Sequence, residues 1–144
     1  MRPAVSLLGG PPPSLLPFEI AERKGVGHPD TLCDALAEHL CVVLCQTYLE
    51  RFGTILHHNV DKALLVAGVA RPAFGGGSIE QPITIYLSGR ATTEVRGTRV
   101  PVDEIAIEAT RAWMRTRLRS LDAAQHVQVI PRLRPTSPEL SALF

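Results

Sequence analysis

The sequence predicts an α+β protein in which two helices cover one face of a sheet, in the element order β-α-β-β-α-β. Two segments carry apolar residues at helical spacing, and the segments around them either alternate in polarity or are continuously apolar, as strands are. With 144 residues, of which 45% are hydrophobic, the chain can bury one sizeable core. We therefore expect one folded domain, a two-layer sandwich.

The first two predicted elements are a short strand at residues 17–22, "PFEIAE", and a long amphipathic helix. From Pro29 to about Phe52, apolar positions recur every three or four residues, and Gly53 is expected to end the helix. The expected apolar stripe consists of Leu32, Leu36, Leu40, Val43 and Thr47.

Two neighbouring strands are predicted in the middle of the chain. Residues 62–70, "KALLVAGVA", form a continuous apolar run typical of a buried strand, and Ile83, Ile85 and Leu87 alternate with polar residues as in a half-buried strand. We expect these strands to pair antiparallel. The polar cluster before them, residues 57–61, is typical of a turn, and the glycines at 75–77 are more typical of a hairpin connection than of a phosphate loop.

The last predicted elements are a helix and a strand. Asp103 is a plausible N-cap for the helix at residues 104–121, whose basic residues gather toward the C-terminal end, where the helix dipole favours cations. Residues 126–130, "HVQVI", alternate as a strand would before Pro131.

Charge and composition exclude several classes of protein. Fifteen basic and fourteen acidic residues leave a formal charge of +1, which provides no broad field for nucleic acid or an anionic membrane. An RNA-binding module of the same strand order would need exposed aromatic residues, and Tyr86 is the only aromatic in either central strand. We therefore expect neither a nucleic-acid partner nor a membrane.

The cysteines and the N-terminal residues suggest a cytoplasmic protein. Cys33, Cys41 and Cys45 form an odd set without a signal peptide, which favours reduced thiols, and small apolar packing is a better interpretation of them than a metal site. Residues 1–17 are interrupted by glycine and proline too often for a membrane span. They are expected to form a mobile arm ahead of a domain at residues 18–144.

The start of the first helix is chemically distinctive. Glycines and charges at residues 22–27 lead into His28, Pro29 and Asp30. Proline in a first turn and a nearby carboxylate are ordinary features of a helix start, so capping alone is one interpretation. The other is that His28 and Asp30 serve a functional site.

Five segments, in order, resemble the N-terminal portion of the archaeal-type S-adenosylmethionine synthetases (methionine adenosyltransferases). They are "ERKGVGHPDTLCD", "RFGTILHHNVDK", "FGGG", "ITIYLSGRATTEV" and "VPVDEIAIEATR". The resemblance covers nearly all of residues 18–144. It implies one of three similar β-α-β-β-α-β units that interleave, in a protein whose dimers place active sites between subunits.

The resemblance also implies a reaction and a set of site residues. In the family, the sulfur of L-methionine attacks the 5′ carbon of ATP and the triphosphate chain leaves, so metal ions and positioned donors are needed. By similarity, His28 would contact the phosphates and Asp30 would ligate magnesium. Glu22 would lie beside the nucleotide or the metal, Asp61 would lie beside the nucleotide, and potassium is a second candidate ion.

Two departures from the family pattern leave alternatives open. A Gly-x-Gly-Ser-x-Asp stretch of the family corresponds here to Arg134-Pro135-Thr136-Ser137-Pro138-Glu139, and the resemblance covers only about a third of a family member. We therefore expect the isolated chain to be inactive and to form a homo-oligomer or join a complementing chain. The alternative is a non-catalytic homologue that acts as an interaction or regulatory partner.

Overall fold

The computed structural model describes residues 9–137 as an α+β fold, which confirms the predicted class. After a 3₁₀ turn at Pro13–Leu15, the elements are α1, β1 to β6, α2 and β7. Their bounds are α1 Pro29–Phe52, β1 His58–Val66, β2 Val69–Ala73, β3 Gly76–Gln81, β4 Ile83–Ala91, β5 Glu94–Val95, β6 Thr98–Arg99, α2 Val102–Arg117 and β7 Val127–Pro135.

Helix α1 has the predicted bounds. Gly53 ends it in the left-handed conformation, with φ 73°, and donates its backbone N–H to the Leu49 carbonyl. The buried side follows Leu32, Leu36 and Leu40 as predicted. Beyond Leu40 the prediction was incomplete, because Leu44 and Tyr48 fill the core there, while Val43 is half-buried and packs against it and Thr47 is half-buried. Leu44 and Tyr48 are fully buried.

The central sheet has the strand order β1-β4-β7. The antiparallel pairing of β1 and β4 was predicted, whereas β7 pairs with β4 in parallel and runs on through Pro131. The polar cluster at residues 57–61 is not the expected turn. From His58 onward it belongs to β1, because pairing with residues 89–91 of β4 satisfies its backbone, and a bulge between Val60 and Lys62 accommodates Asp61.

A separate hairpin interrupts the predicted second strand. Strand β1 ends at Val66, and β2 pairs with β3 instead of extending β1. At Gly68 the chain passes so close to β3 that an added Cβ would lie 2.2 Å from the Gln81 carbonyl oxygen. The turn of this hairpin contains Gly75, with φ 77°, which confirms that these glycines form a hairpin connection.

Three further expectations need correction. Residues 17–22 form no strand and have no sheet partner in the described part of the chain, so the first predicted strand is absent there. Helix α2 begins at Val102 with Pro101 as its N-cap, and Asp103 lies inside the first turn, where its charge still favours the helix dipole. The small β5–β6 ribbon was not predicted at all.

Both helices pack on one face of the sheet and on each other, and the core lies between these layers. The opposite face has no covering layer within residues 9–137. Leu64, Tyr86 and Ile130 lie side by side across the three strands on that face, and Leu64 is 59% exposed. By length and composition, α1 is apolar enough to cross a membrane, but its buried residues pack into this core as in an ordinary core helix.

Candidate functional site

His28 is the N-cap of α1. The chain turns at Gly25, where the carbonyl accepts the N–H of His28, and the His28 carbonyl accepts the N–H of Leu32. The imidazole Nδ1 accepts the backbone N–H of Asp30 at 3.2 Å. A neutral imidazole that accepts at Nδ1 carries its proton at Nε2, so His28 can donate a hydrogen bond to a ligand from that atom.

Asp30 lies in the first turn of α1, with an exposed carboxylate that pairs with the ammonium group of Lys24. This hydrogen bond and charge from Lys24 lower the pKa of Asp30 below its ordinary value of 3.8, so the carboxylate is ionised at neutral pH. Both side chains are more than half exposed, so the pair adds little to stability. Lys24 was not singled out from the sequence.

Glu22 lies on the exposed chain that precedes this turn. It makes no hydrogen bond or ion pair with the described residues. Its side chain is therefore not fixed in place by any residue between 9 and 137.

Asp61 is not brought to the start of α1. It lies at the bulge of β1, where it pairs with Lys62 at 2.6 Å and has a pKa lowered by that bond. The neighbouring Val60 carbonyl accepts from the Cys41 thiol at 3.7 Å. Cys41 is eleven positions beyond Asp30, or about 16 Å along the helix, so Asp61 is remote from His28 and Asp30.

The described residues contain no group of three or more His, Cys, Asp and Glu side chains that could hold a metal ion. Asp30 provides one exposed, ionised carboxylate. That donor set fits magnesium in one mode only, in which one or two carboxylates and substrate phosphates share the ion.

An apolar pocket of about 270 Å³ adjoins the start of α1. Gly27 and Pro29, the neighbours of His28, form one wall, and the base of the β2–β3 hairpin forms another. The remaining lining residues are Leu32, Leu65, Ala67, Gly68, Val69, Ala70, Ile79, Gln81, Ile83 and Leu121. Sequence reasoning missed this pocket, although a glycine inside an apolar run, Gly68, was a usable signal of close strand contact.

The segment that departs from the family pattern lies at the end of the central sheet. Arg134 and Pro135 are the last residues of β7, and the Thr136 hydroxyl lies 3.0 Å from Nδ1 of His57. Pro138 and Glu139 lie outside the described residues.

The profile of the family described as S-adenosylmethionine synthetase (AdoMet synthetase) matches residues 4–144. The chain belongs to this family. A "Probable S-adenosylmethionine synthase" of Aquifex aeolicus is 56% identical over 126 residues, which cover 88% of this chain and 32% of the relative. An S-adenosylmethionine synthase of Aeropyrum pernix is 51% identical over 133 residues, which cover 90% of this chain and 33% of the relative.

The matched portion is about a third of each relative. A third S-adenosylmethionine synthase, from Methanococcus aeolicus, is 43% identical over 97% of this chain and 36% of its own length. The S-adenosylmethionine synthetase family therefore explains nearly the whole of this sequence, while most of each relative lies outside the match.

Proposed function

We propose that this chain contributes His28 and Asp30 to a site at which ATP and L-methionine are joined to S-adenosylmethionine. The observation that carries the proposal is the start of α1, where an oriented imidazole and an ionised carboxylate stand together in a chain of the S-adenosylmethionine synthetase family. The match covers only 32% of the Aquifex aeolicus relative, and the complete site takes further residues from the portion that lies outside the match.

His28 binds the phosphate groups in this proposal. Its Nε2–H points away from the cap bond, and a helix N-terminus favours anions through its free N–H groups and dipole. Such a donor stabilises charge that develops on the leaving triphosphate.

Asp30 holds magnesium together with the substrate phosphates. The metal supplies charge neutralisation to the leaving group. Lys24 pairs with Asp30 and places a positive charge beside the proposed phosphate and metal site. Potassium, and roles for Glu22 and Asp61 beside the nucleotide, stay predictions.

The apolar pocket beside Gly27 and Pro29 is the place for the methionine side chain. Its walls are almost entirely aliphatic, which suits a methyl thioether, and they include Gly27 and Pro29, the chain neighbours of His28. A thioether held there would have its sulfur near the phosphate-binding groups.

The open face of the sheet supports association. The row of Leu64, Tyr86 and Ile130 is uncovered, and apolar surface of this kind is usually covered by a partner. We expect a second copy or a complementing chain on this face, and a cytoplasmic location.

The test combines this chain with the part of the Aquifex aeolicus relative that follows the matched third. We expect the two chains together to form S-adenosylmethionine from ATP, methionine and magnesium, and this chain alone to form none. Asp30→Asn should then lower turnover at least about a hundredfold, because an amide offers the metal no full charge.

Asp34→Asn is the matched control, because Asp34 is an exposed carboxylate one turn further along the same helix. Its turnover should be unchanged. Equal turnover of Asp30→Asn and wild type, per folded molecule, would refute the catalytic role of the helix start and leave the non-catalytic alternative.

A further inference from the structure

A cleft of about 910 Å³ lies at the opposite end of α1 from His28. Its walls come from the end of α1, the chain leading into β1, and the β5–β6 ribbon. The lining residues are Arg51, Phe52, Thr54, Leu56, His57, Thr92, Glu94, Val95, Arg96 and Thr98. Since α1 has 24 residues, this cleft is about 36 Å from the proposed catalytic groups.

The lining carries two exposed guanidinium groups, Arg51 and Arg96, and one carboxylate, Glu94. Within residues 9–137, neither arginine forms an ion pair, whereas five other basic side chains do. The cleft therefore has an excess of positive charge that this part of the chain does not neutralise.

The backbone at Arg96 is unusual. Arg96 has φ 48° and Gly97 has φ 80°, so both central residues of the hairpin turn are left-handed. Turns of this type favour Asn, Asp or Gly at the first central position, because a Cβ atom is strained there and only the short polar side chains of Asn and Asp offset the strain with local hydrogen bonds. An arginine at position 96 does not stabilise the turn, which suggests that the Arg96 side chain has another role.

The floor of the cleft is fixed by hydrogen bonds. The Thr92 hydroxyl donates to the His57 carbonyl at 3.0 Å, and the Thr92 carbonyl accepts from the Tyr48 hydroxyl at 2.8 Å. The hydroxyls of Thr54 and Thr98 are exposed and have no partner within the described residues. They are available as additional donors at the rim.

We propose that this cleft binds a phosphate-bearing small molecule between Arg51 and Arg96. Guanidinium groups match phosphate oxygens with paired, charge-assisted hydrogen bonds, and the threonine hydroxyls complete the donor set. Glu94 accepts a hydroxyl or amino group of the same ligand. This site is separate from the proposed catalytic site and does not depend on it.

The test is an NMR titration of the ¹⁵N-labelled 144-residue chain with inorganic pyrophosphate, without magnesium. We expect saturable shifts of the Thr54 and Gly97 amides, with a dissociation constant that differs from that of any shift at the start of α1. Arg51→Ala and Arg96→Gly should each weaken binding about tenfold or more. Arg119→Ala, which removes an exposed arginine outside the cleft, should leave it unchanged.

Arg96→Gly separates binding from folding, because glycine accepts a positive φ without strain. The melting temperature should stay equal or rise while the affinity falls. Undiminished pyrophosphate affinity of this variant would overturn the proposal, as would unsaturable shifts spread over all basic residues including Arg119. His28→Asn should not alter this titration, so the result is independent of the proposed transferase activity.

Discussion

The Nδ1 atom of His28 accepts the backbone N–H of Asp30, so the residue that we propose for phosphate binding is also the cap of its own helix. Capping and chemistry are therefore not competing explanations of the "GHPD" segment. They use different atoms of one imidazole, Nδ1 for the helix and Nε2 for a ligand.

Substitution at His28 separates the two roles. His28→Ala removes the cap acceptor and should lower the free energy of unfolding by about 0.5–2 kcal/mol. His28→Asn should restore most of that stability, because asparagine is a good N-cap, but it should not restore turnover in the two-chain assay. Urea denaturation and product formation measure the two effects; recovery of both by asparagine would remove the need for an imidazole.

The hydroxyl of Tyr48 should ionise at a higher pH than that of an exposed tyrosine. Burial raises the pKa of its hydroxyl from 10.0 to about 12, and the hydroxyl donates to the Thr92 carbonyl at 2.8 Å. Because folding raises this pKa, the neutral hydroxyl adds to the free energy of unfolding. This contribution is fully present below pH 10 and is lost as the pH rises through about 12.

The chain has two tyrosines, so ultraviolet titration of Tyr48→Phe and Tyr86→Phe assigns each ionisation. We expect the ionisation at about pH 12 to disappear from the titration curve only in Tyr48→Phe. A Tyr48 that ionises near pH 10 in the folded protein would contradict its buried position.

Removing the hydroxyl of Thr110 should stabilise the folded protein. It is 1% exposed, and its Oγ1 has no hydrogen-bond partner within the described residues. Thr110→Val keeps the shape and removes an unsatisfied polar atom, so the free energy of unfolding should rise by about 1 kcal/mol. Thr47→Val is the control, because its hydroxyl donates to the Val43 carbonyl at 2.8 Å and should give no such gain in denaturant unfolding.

Gly68 should tolerate no side chain. A Cβ there would lie 2.2 Å from the Gln81 carbonyl oxygen, so Gly68→Ala must push the β2–β3 hairpin away and should cost about 1–3 kcal/mol in unfolding free energy. Gly76→Ala, in the same hairpin, meets no atom within 4 Å and should change stability by less than about 0.5 kcal/mol. Equal melting temperatures for the two variants would contradict the close strand contact.

The sequence predicted what depends on local pattern. The bounds of α1 followed from its periodicity and Gly53, and the pairing of β1 with β4 followed from two apolar segments. Contacts between residues far apart in the sequence were harder to predict. The bulge at Asp61 and the hairpin at Gly68 depend on how β4 and β3 approach β1 and β2, which no local pattern records.

Only the local part of the candidate site could be predicted from the sequence. His28 and Asp30 are two positions apart, so their proximity followed from the sequence. Lys24 beside Asp30 depends on the turn at Gly25. The two clefts arise where separate elements meet, and the remoteness of Asp61 from Asp30 follows from the antiparallel course of α1 and β1.

The parallel pairing of β7 with β4 has a consequence for synthesis on the ribosome. Strand β4 gains its second neighbour only after residues 127–135 have been made, and the first of these comes 36 residues after β4 ends at Ala91. Until then one edge of the central strand is open to other nascent chains. Folding of this unit is therefore limited by its last strand, and rare codons or stalling between α2 and β7 should increase aggregation more than the same delay before β1.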